Sequence, residues 1–327
     1  MEMRNFQHIA LLAGLLTGVW LGSTDANAQQ LFRRSQYLVN PYLSNPAVAG
    51  TSNDSPIQAM YRNQWAGFDG APRTTVLSGH TRLPNKLGIG GILYTDDMGG
   101  AFKQTGLELT GTYTIDLNNY DAVSFGLSAM ASQWSFDGTQ LEVWDVNDPA
   151  LIGQQQGMAI DANFGMMIFG DEYAFGFSIP ALLQSSTNLP GSIILEDGPD
   201  NRLIRHFRFM GHYRYDINTN FSLETAGLIR MTSATSAQLD AYLRGTYAQM
   251  AWVMLGLRAS DAVVVGVGGN YQDYGLAYTY DVTNTDASYL SPHTHELTLT
   301  YRIPRNSGFN AQSMGSRKLL ERKRIVK

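Results

Sequence analysis

The 327-residue chain contains no cysteine, which excludes a disulfide framework, thiolate-bound metals and cysteine nucleophiles. Charged residues are sparse, at 16%. Beyond Leu21 no apolar run approaches the ~20 residues a membrane-spanning helix needs, so any later passage through a bilayer must use strands. No Ser, His and Asp set has a spacing that suggests an activated nucleophile. Gly88, Gly90 and Gly91 precede no helix and so do not form a phosphate cradle; small residues there suit strand coiling or close approach of another segment. His293 and His295 share a strand face but lack a third ligand, and Asp96-Asp97 lacks the spaced oxygens of a calcium loop. These absences predict a chain that is not an enzyme, with no cofactor.

What is present begins with an export signal. Arg4, an apolar core from Ile9 to Leu21, and Ala26-Asn27-Ala28 form a signal peptide over 1–28, so the mature chain is expected to start near Gln29. The 33 glycines, 17 tyrosines and 14 phenylalanines suit twisted strands with aromatic ends. From Gln104 to Ile115, Leu107, Leu109, Tyr113 and Ile115 face one way, and Gln104, Glu108, Thr110, Thr112 and Thr114 the other. The same period of two recurs around about fourteen centres, from Met60 and Leu77 to Ala277 and Thr298. A soluble β-sandwich alternates too, but the loops here fall into a short set and a long set. Leu83-Pro84-Asn85, Leu117-Asn118-Asn119 and Gly170-Asp171-Glu172 are short; 63–73, 95–101, 134–155, 180–202 and 281–292 are longer, with 259–261 the exception. That pattern predicts an all-β, transmembrane, antiparallel up-and-down β-barrel of about 14 strands over 56–304, in the outer membrane of a Gram-negative bacterium, with both termini periplasmic.

Two segments depart from the alternation. Residues 29–55 contain Asn40-Pro41 and Asn45-Pro46, which disfavour helix, yet also Tyr37, Leu38, Tyr42 and Val48. This irregular segment is expected to plug the barrel from the periplasmic mouth or to lie as a strap beneath it. Residues 305–327 carry seven basic side chains and one acid, a local +6 on a chain of net charge -5. Such a periplasmic tail can bind anionic lipid or a protein partner; nucleic acid is excluded as the least compatible with export.

Ser35-Gln36-Tyr37, Asn45-Pro46-Ala47 with Gly50, Tyr61-Arg62-Asn63-Gln64-Trp65 and Gly70-Ala71-Pro72-Arg73-Thr74 resemble the amino-terminal signature of the PorP/SprF family of Bacteroidota. Asp97 with Gly99 and Gly100, Gly211-His212-Tyr213, Tyr280-Asp281 and His295-Glu296-Leu297 extend the resemblance over nearly the whole mature chain. It implies a non-enzymatic outer-membrane component of the type IX secretion system. Its implied partners are other secretion components, exported cargo or adhesin carboxyl-terminal domains (gliding adhesins in motile species) and outer-membrane lipid.

The candidate partner-binding residues are Gln64, Trp65, Phe68 and Asp69 on a glycine-broken outer loop, and Arg317, Lys318, Arg322, Lys323 and Arg324 in the tail. The loop aromatics can equally fold inward to close the mouth. Tyr37, Asn45, Arg62, Arg208, Arg214, Arg230 and Arg244 are expected to form lumen or plug contacts, with Glu108, Asp161, Glu224 and Asp240 as counter-charges. Mixed signs favour cross-strand ladders over a selectivity lining. A passive channel for small solutes or lipids is the alternative function.

Overall fold

The computed structural model describes residues 34–140, 154–186, 202–232, 237–259, 261–284, 291 and 293–304. Residues 1–28, read from the sequence as a signal peptide, and the basic tail, including Arg317, Lys318, Arg322, Lys323 and Arg324, lie outside the described residues. Fourteen strands follow one another: β1 (Ser55–Asn63), β2 (Arg73–Arg82), β3 (Leu87–Asp97), β4 (Phe102–Asp116), β5 (Ala122–Asp137), β6 (Gln154–Phe169) and β7 (Tyr173–Ile179), then β8 (His206–Asp216), β9 (Phe221–Thr232), β10 (Gln238–Tyr247), β11 (Ala251–Arg258), β12 (Ala262–Tyr271), β13 (Tyr274–Thr283) and β14 (His293–Ile303). Each pairs antiparallel with its sequence neighbours, and β1 pairs with β14 from Ser55↔Ile303 to Asn63↔His295, closing the barrel. Closure leaves no sheet edge, the condition for strands in hydrocarbon. All fourteen predicted centres fall within these strands.

The outward face reads as a membrane band. Leu77, Leu93, Leu107, Leu127, Val253, Leu255, Val265 and Leu297 are exposed around the middle of the wall. Toward the short turns, Tyr113, Tyr213, Tyr215, Tyr247, Tyr271, Tyr274 and Tyr301 are exposed, and toward the long loops Tyr61 and Phe209 are. An aliphatic band between two aromatic girdles is the outer surface expected of a barrel in a bilayer. His293 and His295 belong to the second girdle: the Tyr278 hydroxyl lies 2.7 Å from His295 Nδ1, and Tyr280 pairs in the same way with His293.

β4, β5 and β6 run 15, 16 and 16 residues, well beyond the roughly 9–11 that cross a bilayer. The loops read at 95–101 and 134–155 are accordingly shorter, because β3 continues to Asp97 and β5 to Asp137. Here the outward side chains of β4 and β5 turn polar at Lys103, Thr105, Gln133 and Ser135, and Gln133 donates to Gln156 at 2.8 Å on the outer face.

Inside, the wall is lined by small hydroxyls such as Thr110, Thr112, Ser124, Ser128, Thr298 and Thr300, all buried. They are buried because the chain before β1 lies within the barrel. This inner segment makes two 3-10 turns, Pro41–Leu43 and Pro46–Val48, each begun by the proline that cannot extend a longer helix from the residue before it. Tyr42, Leu43, Ala47, Val48 and Ala49 pack against Met60, Val76, Ile92, Tyr94 and Met167, and Tyr37 packs with Met210, Leu228, Tyr242, Trp252 and Met254. An apolar core thus sits inside the barrel.

Candidate functional site

The inner segment is fixed at three levels. At the long-loop ends of β1, β11, β13 and β14, Glu296 accepts from two successive backbone amides, Ser35 N at 2.9 Å and Gln36 N at 3.1 Å. Arg62 bridges Glu296 at 2.8 Å, Asp281 at 3.1 Å and the Ser35 hydroxyl at 2.9 Å. Arg258 donates to Ser35 Oγ at 2.6 Å, Asp281 at 3.2 Å and Asp261 at 2.7 Å. Arg62, Arg258, Asp281 and Glu296 are each 1–3% exposed. Buried charges persist only when paired and hydrogen-bonded, as these are.

The middle level is held by Tyr42, whose hydroxyl lies 2.7 Å from Thr110 Oγ1 and whose ring meets His80 edge-on at 5.1 Å. Burial raises the Tyr37 and Tyr42 phenols above their ordinary pKa and pushes Arg34 down to about 10. Gln58 donates to the Val39 carbonyl at 3.0 Å, and Asn40 to Ser78 at 2.9 Å.

Lower down, Asn45 caps the second 3-10 turn by accepting from Ala47 N at 2.9 Å, while its amide donates to the wall carbonyls of Met166 at 3.0 Å and Phe177 at 3.3 Å. Thr112 donates to Ala49 O at 2.8 Å. Replacing Asn45 by Ala removes a cap and two wall bonds, for an expected loss of about 1–2 kcal/mol, read as a lowered urea midpoint of the barrel in vesicles.

Wall glycines make room for this path. A Cβ on Gly165 would lie 2.0 Å from Asn45 Oδ1, one on Gly126 2.5 Å from Ala47 N, and one on Gly88 2.7 Å from Ala49 O. At Gly90 it would lie 2.5 Å from the Tyr42 hydroxyl, whereas Gly91 meets only the neighbouring strand.

The other arginines read from the sequence lie on the inner wall. Arg230 donates to both Asp240 oxygens at 2.9 and 2.7 Å, Arg244 pairs with Glu224, and Arg214 meets Asp216 at 3.0 Å. Among the described residues Arg208 reaches only Ser44 O, at 3.5 Å. Asp161 instead receives the backbone amides of Leu183 and Ser185 at 2.8 and 2.9 Å. Below, against β8–β14, remains a polar cavity of about 450 Å³ bordered by Leu38, Arg244, Trp252 and Arg302.

On the β1–β2 loop, Trp65 N donates to Thr294 at 3.2 Å and Ala66 N to His293 O at 2.7 Å, tying the loop to β14. Gln64 and Trp65 are half-buried, while Phe68 and Asp69 are exposed at its tip. Sequence reasoning gave no role to Ser35, Arg258, Asp281 or Glu296. The parity of β11, β13 and β14 would have turned the last three inward, had it been followed residue by residue.

Among solved structures, the chain is similar to the toluene transporter TbuX of Ralstonia pickettii (9% identity, TM-score 0.47, covering 80% of this chain and 92% of that one). It is also similar to the monoaromatic hydrocarbon channel CymD (10%, 0.46, 83% and 94%) and to a FadL homologue of Pseudomonas aeruginosa (10%, 0.41, 76% and 88%). A shared ligand does not follow from likeness at that level. No curated protein matches the chain. The profile of the family described as type IX secretion system membrane protein PorP/SprF matches residues 26–301. With that match spanning the inner segment and nearly the whole barrel, the chain belongs to the PorP/SprF family of type IX secretion membrane proteins.

Proposed function

We propose that this barrel is a closed scaffold of the type IX secretion system, supporting secretion and surface attachment of cargo without itself conducting it. The observation that carries this reading is the occupied lumen: Ser35 to Gly50 are held by buried ion pairs, wall hydrogen bonds and an apolar core. In this reading the long loops face outward and meet exported cargo or adhesin carboxyl-terminal domains, with Phe68 and Asp69 at the tip of one contact surface. The short turns and the basic tail face the periplasm, where Arg317, Lys318, Arg322, Lys323 and Arg324 dock secretion machinery. The family match and the aromatic girdles support the setting. Pull-down from native membranes tests it: type IX components or a cargo carboxyl-terminal domain should accompany the barrel, and truncation after Pro304 should release the periplasmic partners. Recovery of a solitary barrel contradicts the proposal.

The alternative, a passive channel, draws on the cavity of about 450 Å³ beside the inner segment. It predicts steady conductance from the intact chain, which the closed scaffold does not.

A further inference from the structure

A second, smaller cavity of about 70 Å³ lies above the inner segment, with Arg34, Tyr42, Glu108, Leu203, His206 and Arg208 in its wall. By the criterion of about one probe sphere per water, it has room for a few waters or a small solute. Arg208 lies directly opposite Arg230 in the β8–β9 ladder. Like charges in that register repel. Arg230 is neutralised by both oxygens of Asp240, but Arg208 has no carboxylate within 4.0 Å among the described residues and reaches only Ser44 O, at 3.5 Å. His206, two residues earlier on the same inward face, is 6% exposed, and its Nε2 has no hydrogen-bond partner among the described residues. Arg34 enters the same wall and donates to Ser44 Oγ at 3.1 Å. Among the described residues Glu108 is the one carboxylate in the cavity wall.

A part-buried guanidinium set opposite a second guanidinium, with no carboxylate near it among the described residues, favours negative charge nearby, and an imidazole nitrogen beside it can serve as a hydrogen-bond donor. We propose that this cavity is a binding site for a small oxyanion, with Arg208 as its principal ligand and His206 and Arg34 beside it. Glu108 limits the charge that the cavity accepts, so a monoanionic carboxylate suits it better than a phosphate dianion. The site is independent of the scaffold reading, since a closed or a conducting barrel can hold it.

Isothermal titration calorimetry on the full mature barrel in neutral detergent and chloride buffer tests the proposal, with acetate and inorganic phosphate as separate probes. Saturable binding is expected, weakened about tenfold or more in Arg208→Gln and retained in Arg302→Gln, which removes a lumen charge elsewhere. Binding of acetate alone identifies a carboxylate site, and binding of phosphate alone a phosphate site. If Arg208→Gln does not fold, as judged by heat-modifiable gel mobility, His206→Ala serves as the second variant and should weaken binding several-fold. Saturation by neither probe, or binding unchanged in the variant, overturns the proposal.

Discussion

Arg62→Ala should destabilise the barrel by about 3 kcal/mol, the low end of the cost of breaking a buried ion pair. Glu296 would lose its cation, while Asp281 would keep Arg258 at 3.2 Å. That residual pairing is why the expected cost is not larger. Arg62→Lys restores the charge but not the fork that reaches Glu296, Asp281 and Ser35 together, so it should recover only part of the loss. Urea unfolding in vesicles, followed by tryptophan fluorescence, measures both. A shift below about 1 kcal/mol for Arg62→Ala would place the network among interactions that contribute little.

Gly126→Leu should drive the inner segment from its seat. The new Cβ would lie 2.5 Å from both Ala47 N and Pro46 C. These are backbone atoms and cannot rotate aside, so the wall or the segment must move. Overpacking of this kind costs about 1–3 kcal/mol where the structure can give, which is enough to raise the population of a displaced segment about fivefold to more than a hundredfold. Limited proteolysis should accordingly cut within residues 34–54 at least about fivefold faster than in the wild type. Gly111→Leu is the matched control: its Cβ meets nothing within 4 Å, and it should leave cleavage unchanged. Equal cleavage in both variants would mean that the segment is not held by its fit to the wall.

The strands were legible because one face meets lipid and the other does not, as at Leu107 and Leu109 against Gln104 and Thr110. Their ends were less so. Toward the long loops the outward face of β5 turns polar at Gln133, Ser135 and Asp137 while Trp134 and Phe136 lie on its inward face, so the apolar-out alternation stops while the ladder continues to Asp137↔Gln154. Parts of the lumen were obscured for the opposite reason. Val263, Val264 and Val265 run apolar through both faces because Val264 is buried in the core around Tyr37, and a periodicity rule has no polar face to follow there. The fixing network escaped notice because Ser35 meets Arg62, Arg258, Asp281 and Glu296 across as many as 261 residues of sequence. Only the closed topology brings them together. The placing of Arg208 opposite Arg230, with no carboxylate near it among the described residues, was equally hidden, since it depends on the strand register.

Planar-bilayer conductance tests the central claim, that the amino-terminal segment closes this barrel, most directly. The chain from Gln29 onward should show no steady openings, and the same barrel lacking residues 29–55 should show stable unitary currents, because fourteen strands enclose a lumen that widens with strand number. Steady currents of equal size from both proteins would contradict the account and favour a channel.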